Sequence, residues 1–241
     1  MFRRKHHQVI AEILQQFNGD LLRKHHCYFG GGTAIALMQD EYRESVDIDF
    51  LVSDKQDYRD LRNLLTDSQG IFAIANQGAK LILARDIKAD QYGIRTVIQS
   101  GDVRVKFEIV LEGRISFDDP GPQDQIENIA ILTRLDLLAS KLLANSDRWN
   151  DDAVFSRDVI DLVMLDPSKA ELKGALEKSH AAYGDSIHRD LQKSIDFLLS
   201  REGRLERAMT TLKMDLPKAL MWQKLSDLKS DHNAYLIKQQ N

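Results

Sequence analysis

The sequence predicts an α/β (α+β) fold: a mixed sheet with flanking helices over residues 1–115, then a helical bundle over 123–241 packed on it. Three observations predict it. Apolar and polar residues alternate over most of 46–52 and 103–111, as in half-buried strands. Apolar residues recur at helical spacing from about 126 to the C-terminus. Between these regions, Ser116-Phe117-Asp118-Asp119-Pro120-Gly121-Pro122 breaks both patterns and reads as a linker.

In chain order, residues 4–26 read as helix, because Val9, Ile10, Ile13, Leu14 and Phe17 share one face and Leu21 and Leu22 resume it after Asn18-Gly19. Cys27–Phe29 reads as a short strand entering three consecutive glycines, with Thr33–Met38 as the next helix. Asp54 is placed to cap a helix carrying Tyr58, Leu61, Leu64 and Leu65 and ending at Gly70. Ile71–Ala75, Lys80–Ala84 and Ile94–Gln99 read as strands, and Ser100-Gly101-Asp102 as the hairpin turn into Val103–Leu111. The remainder reads as helices over 126–143, 154–165, from Pro167, and over roughly 186–212 and 217–239, with Pro167 and Pro217 at helix starts. The Arg-Lys-His-His tetrapeptide occurs at 4–7 and 23–26. Adjacent helical residues point about 100° apart and rarely ligate one metal, so chance repetition is the better account.

Chemistry concentrates at residues 29–54. Gly30-Gly31-Gly32 before a helix leaves bare N–H groups to which a phosphate can approach closely. In Val46–Val52, Val46, Ile48 and Phe50 point one way and Asp47 and Asp49 the other. Two carboxylates about 6–7 Å apart on one strand face can lean onto a shared divalent ion, which offsets their repulsion. In Val103–Val110, Arg104, Lys106 and Glu108 share the face opposite the apolar residues. Taken alone, Glu108 reads as an exposed strand glutamate paired with Lys106 or Arg104. Lys141 lies in Leu137-Leu138-Ala139-Ser140-Lys141-Leu142-Leu143 and needs an anion, either a phosphate or an aspartate. Asp158 and Asp161, three apart on one helix face, are in reach of it, so a salt bridge within the bundle is the alternative. Arg43 is in reach of Glu41 or Glu44, and Trp149 stacks on a base or packs in the core.

Gly31-Gly32-Thr33-Ala34, a helical run, then Arg43-x-Ser45-x-Asp47-Ile48-Asp49-Phe50 resembles the nucleotidyltransferase superfamily, and more narrowly the AbiEii/AbiGii-type nucleotidyltransferase toxins. Lys141, Arg148 and Arg157-Asp158-x-x-Asp161-Leu162 resemble the second cluster of the same family. The resemblance covers 29–54 most fully, then 105–109 and 137–162. It implies that a nucleoside triphosphate binds over Gly31, Gly32 and Thr33, with Arg43 and Ser45 on phosphate oxygens. It implies Mg²⁺, with Mn²⁺ as an alternative, on Asp47, Asp49 and Glu108. Lys141 would offset triphosphate charge and Asp158 would orient it. Relatives commonly carry Asp where this chain has Glu108. The family further implies a toxin with a separate antitoxin, adding nucleotides to an RNA such as the tRNA 3′ end. The same core would serve transfer to a small molecule or a protein side chain, and a non-catalytic nucleotide or RNA binder is the alternative from another class.

Composition sets bounds on these readings. The 241 residues carry a net charge of −4, which excludes a general nucleic-acid coater. RNA contacts would come from local basic patches such as Arg3, Arg4, Lys5, Arg23 and Lys24, against only Glu12 and Asp20 in the same stretch. The single Cys27 reads as a small buried hydrophobe and suits a reducing cytoplasm. No apolar run approaches the ~20 residues of a membrane span, and no signal core follows the basic N-terminus.

Overall fold

The computed structural model describes residues 2–239. These fall into two units, one within Met1–Leu37 and Ser45–Thr133, the other within Met38–Glu44 and Arg134–Asn241. The 116–122 stretch therefore lies inside the first unit, and the change of unit comes at 133/134.

The first unit comprises α1 (Lys5–Leu14), α2 (Gly19–Lys24), β1 (Tyr28–Gly30), α3 (Gly31–Met38), β2 (Ile48–Val52), α4 (Lys55–Thr66), β3 (Ile82–Ala89), β4 (Gly93–Ser100), β5 (Val103–Leu111), β6 (Gln125–Ile126) and β7 (Ile129–Ala130). Its five-stranded sheet runs β1-β2-β5-β4-β3. β2 and β5 pair in parallel and the other neighbours are antiparallel. The alternation of β2 and β5 turns Ile48, Phe50, Phe107 and Ile109 into the core, where all are fully buried. Phe17, Phe29, Phe50 and Phe107 cluster there with neighbouring ring centroids 5.2 to 6.1 Å apart, a geometry that adds about 0.5–1.5 kcal/mol per pair to area burial. Asp54 caps α4 as expected, its carboxylate accepting the Gln56 and Asp57 N–H groups at 2.7 and 2.9 Å.

Three expectations are corrected. The single helix at 4–26 is two, because Asn18 starts α2 afresh, its side chain accepting the Leu21 N–H at 3.0 Å. Residues 70–74 form a 3₁₀ turn rather than a strand. At three residues per turn, Ile71 and Ile74 both reach the core. The helix expected from 126 starts only at 134: before it, β6 and β7 make a hairpin turned by Glu127 and Asn128, at φ 50° and 65°.

The second unit comprises α5 (Arg134–Arg148), α6 (Arg157–Met164), α7 (Lys169–Tyr183), α8 (Ser186–Ser200), α9 (Arg204–Thr211) and α10 (Lys218–Gln239). α5 is central and packs on α6, α7 and α8. Ser168 and Glu171 form a reciprocal capping box at the start of α7. The Arg134 bond, with the Ser168 cap, lowers the Glu171 carboxyl to about 2. Residues 38–44 belong to this unit: the Glu44 N–H donates to the Leu212 carbonyl at 3.1 Å and the Asp215 N–H to that of Tyr42 at 2.8 Å. Among the described residues, no helix is long and apolar enough to cross a membrane.

Candidate active site

Four residues line up across the sheet. Gly30 is the register partner of Asp49, Asp49 of Glu108, and Glu108 of Arg95. Register partners share a sheet face and lie one strand spacing, about 4.8 Å, apart. Since Ile48 and Phe50 take the core side, Asp49, Glu108 and Arg95 stand on the opposite face. Asp47 precedes the paired part of β2 by one residue and is half-buried.

The glycine turn meets this row directly. Gly31 sits at φ 67°, and a Cβ there would lie 2.7 Å from Asp49 Oδ2. Only glycine lets the start of α3 approach the carboxylate so closely while adopting a left-handed conformation. Buried Thr33 donates its hydroxyl to Ser45 Oγ at 2.8 Å, tying α3 to the segment that enters β2. The Ser45 N–H donates to Nε2 of His7 at 3.2 Å. His7 is fully buried, and an accepting Nε2 means that its proton is on Nδ1.

Glu108 is engaged at both oxygens, by Arg95 Nε and Lys106 Nζ, each at 2.5 Å. Arg95 also reaches Asp90 at 3.0 Å. Burial tends to lower the Lys106 ammonium, but Glu108, then Asp49 and Asp47, outweigh it and raise it above the ordinary lysine value. One cation thus feels all three carboxylates.

Arg43, Lys141 and Asp158 belong to a buried ring within the second unit. The Arg43 guanidinium forks Asp161 at 2.7 and 2.9 Å, and its third nitrogen donates to the Glu44 carbonyl at 2.9 Å. Tyr42 donates its hydroxyl to the same carboxylate. Lys141 Nζ lies 2.7 Å from Asp161 and 3.1 Å from Asp158. Arg148 forks Asp158 at 2.7 and 3.0 Å. Burial pushes both carboxyls up, but Arg43 and Lys141 at Asp161, and Lys141 and Arg148 at Asp158, hold each below the usual range. Both stay ionised at neutral pH. The single helix turn between them places both beside Lys141, as their spacing implies.

Sequence reasoning did not find His7 or Arg95. The only sequence signal for His7 is the repeated Arg-Lys-His-His. Arg95 shows itself only once strand register is known. Trp149 has Lys193 above its ring, 5.3 Å from the centroid.

Comparison with curated proteins gives no match. A crystal structure of a Helicobacter pylori protein, provisionally described as a nucleotidyltransferase, aligns over 97% of this chain and 96% of its own at TM-score 0.50 and 18% identity. A second H. pylori structure, JHP933, aligns over the whole of both chains at TM-score 0.44 and 18% identity. The first likeness supports the fold. The family model for the nucleotidyl transferase AbiEii toxin of type IV toxin–antitoxin systems matches residues 12–233. The chain belongs to the AbiEii nucleotidyltransferase toxin family.

Proposed function

We propose that this chain moves a nucleoside monophosphate from an NTP to a hydroxyl of an RNA acceptor, breaking the bond between the α- and β-phosphates and releasing pyrophosphate. The tRNA 3′ end is the acceptor class to test, the cytoplasm the setting and a separate antitoxin the restraint. The observation that carries the reading is the row Gly30–Asp49–Glu108, which sets a half-buried carboxylate against the glycine turn on the sheet face opposite the aromatic core. In this reading, Gly31 and Gly32 present N–H groups to the triphosphate at the N-terminus of α3. Ser45, bonded to Thr33, places its hydroxyl on a phosphate oxygen.

The donors fit a divalent cation. Asp47, Asp49 and Glu108 offer oxygen only, which suits Mg²⁺ or Mn²⁺, and Lys106 is a positive charge already drawn to all three. Asp47, Asp49 and Glu108 would hold such ions, which would supply Lewis-acid stabilisation of the charge that develops in the transfer. Glu108 takes the acceptor hydroxyl proton on Oε2 once Lys106 has moved off it, while Arg95 keeps Oε1 oriented. Arg43, Lys141 and Asp158 act by positioning. In the buried ring Arg43, Lys141 and Arg148 face Asp158 and Asp161, and this anchors residues 38–44 immediately before Ser45 and Asp47 in the chain.

The test is incubation of purified protein with total RNA and each α-labelled NTP, with Mg²⁺ or with chelator. Label is expected in RNA, dependent on the metal, and reduced at least ~10³-fold in Asp47→Asn and Asp49→Asn. Label in protein or small molecules, or undiminished RNA labelling in both variants, overturns the reading.

A further inference from the structure

His25, Asp57 and Asp60 converge at a place the reaction above does not use. α2 ends at Lys24, His25 is its C-cap, and His26 follows at φ 44°. The angular separation of successive helical side chains no longer applies once the chain leaves the helix. As a result, both Nδ1 atoms face one carboxylate: His25 Nδ1 lies 3.6 Å from Asp57 Oδ1, and His26 Nδ1 lies 2.7 Å from Oδ2. Asp60 is one turn beyond Asp57 on α4 and shares its face. Ligand atoms of His25, Asp57 and Asp60 all lie within 4.8 Å of one another, and all three residues are half-buried.

We propose that these residues form a second metal site, for a divalent transition metal of the Zn²⁺ class. His25 Nδ1 and one oxygen from each of Asp57 and Asp60 supply three ligands, and water supplies the fourth in a tetrahedral shell. An imidazole in the set favours Zn²⁺ over Mg²⁺. Closing the shell needs ligand atoms about 3.4 Å apart at ordinary Zn–N and Zn–O distances, a change within reach of small side-chain rotations.

The surrounding bonds are those a metal site needs. His26 holds the outer oxygen of Asp57, and its other nitrogen lies 3.9 Å from Asp119. The Gln56 amide donates to Asp60 Oδ1 at 2.9 Å, leaving Oδ2 for the ion. Outer partners of this kind fix ligand orientation and raise affinity. An ion here clamps the turn ahead of β1 onto α4.

The test is calorimetric titration of ZnCl₂ into tag-free, chelator-treated full-length protein carrying Asp47→Asn and Asp49→Asn. That background removes the acids of the proposed catalytic site, so the result does not depend on the nucleotidyl-transfer reading. One equivalent is expected to bind with Kd of about 10 μM or tighter and to raise Tm, while MgCl₂ at equal concentration does neither. His25→Ala and Asp60→Asn each lose the binding and the Tm rise, and His26→Ala weakens binding by about 10- to 100-fold. Circular dichroism without metal checks each variant's fold, and Asp60→Asn, which keeps the side-chain shape, decides the matter should His25→Ala not fold. Absence of Zn²⁺ binding at 100-fold higher concentration, or unchanged binding in Asp60→Asn, overturns the proposal.

Discussion

Gly31 is the residue on which the candidate site turns, because its missing Cβ is occupied space. Asp49 Oδ2 would lie 2.7 Å from that atom, and φ is 67°. Alanine at this position pays about 1–2 kcal/mol for the left-handed backbone and must push the carboxylate aside. Displacing a reacting group by about 1 Å costs on the order of 10²-fold in rate. Gly31→Ala is therefore expected to lose about 10²-fold in nucleotide incorporation while Tm falls only a few degrees, read by labelled-NTP assay and thermal melt. Strand alternation makes the placement of Asp49 opposite Ile48 and Phe50 legible in the sequence, and β2 has that pattern. The engagement of Glu108 by Arg95 was not legible. Two residues thirteen apart in sequence meet only through antiparallel register, and nothing local encodes that.

At the scale of elements, local signals specify the structure where caps and alternation agree and mislead where two periods coincide. Ile126 and Ile129 are three apart, which suits a helix, yet Glu127 and Asn128 at positive φ make a two-residue hairpin turn. Ile71 and Ile74 look β-branched and strand-like, but a 3₁₀ turn buries both. Another element-level feature is the packing of α8 on α10 through histidines. His188 and His232 stack at 5.4 Å, His188 Nδ1 lies 3.1 Å from His232 Nε2, and His232 Nδ1 is buried without a hydrogen-bond partner. Burial, then the charge of His188, lowers His232 to about 4. Unfolded histidine titrates near about 6.5, so between these values the unfolded chain binds more protons. The stability from keeping this ring neutral is complete above pH 6.5 and is lost as pH falls toward 4. Urea midpoints are expected to drop between pH 7 and pH 5, and by less in His232→Leu. An equal drop in both would assign the effect to other groups.

For the whole molecule, the division into units does not follow the chain. Residues 38–44 leave the first unit's sequence and belong to the second, where Arg43 and Tyr42 hold Asp161. The sequence break at 116–122 lies within the first unit, since proline and glycine mark loops whether or not they separate domains. An isolated fragment 134–241 keeps Asp161 and Lys141 but lacks the Arg43 fork. Removing one partner from a buried ion pair costs about 3–5 kcal/mol, against a total of about 5–15 kcal/mol for a typical domain. That fragment is expected to unfold at clearly lower urea than the full chain, followed by circular dichroism. An unchanged midpoint would mean that the 38–44 segment contributes little to the helices.

The passage of residues 38–44 through the helical unit also governs how such proteins can be recombined. A chimera built by swapping everything after Thr133 inherits a short foreign insert upstream, with Tyr42 and Arg43 facing a carboxylate they were not selected to meet. A workable exchange moves two pieces together, the seven-residue loop and the helices. Substitutions at 42 and 43 are therefore expected to track those at 141, 148, 158 and 161 rather than those at the glycine turn.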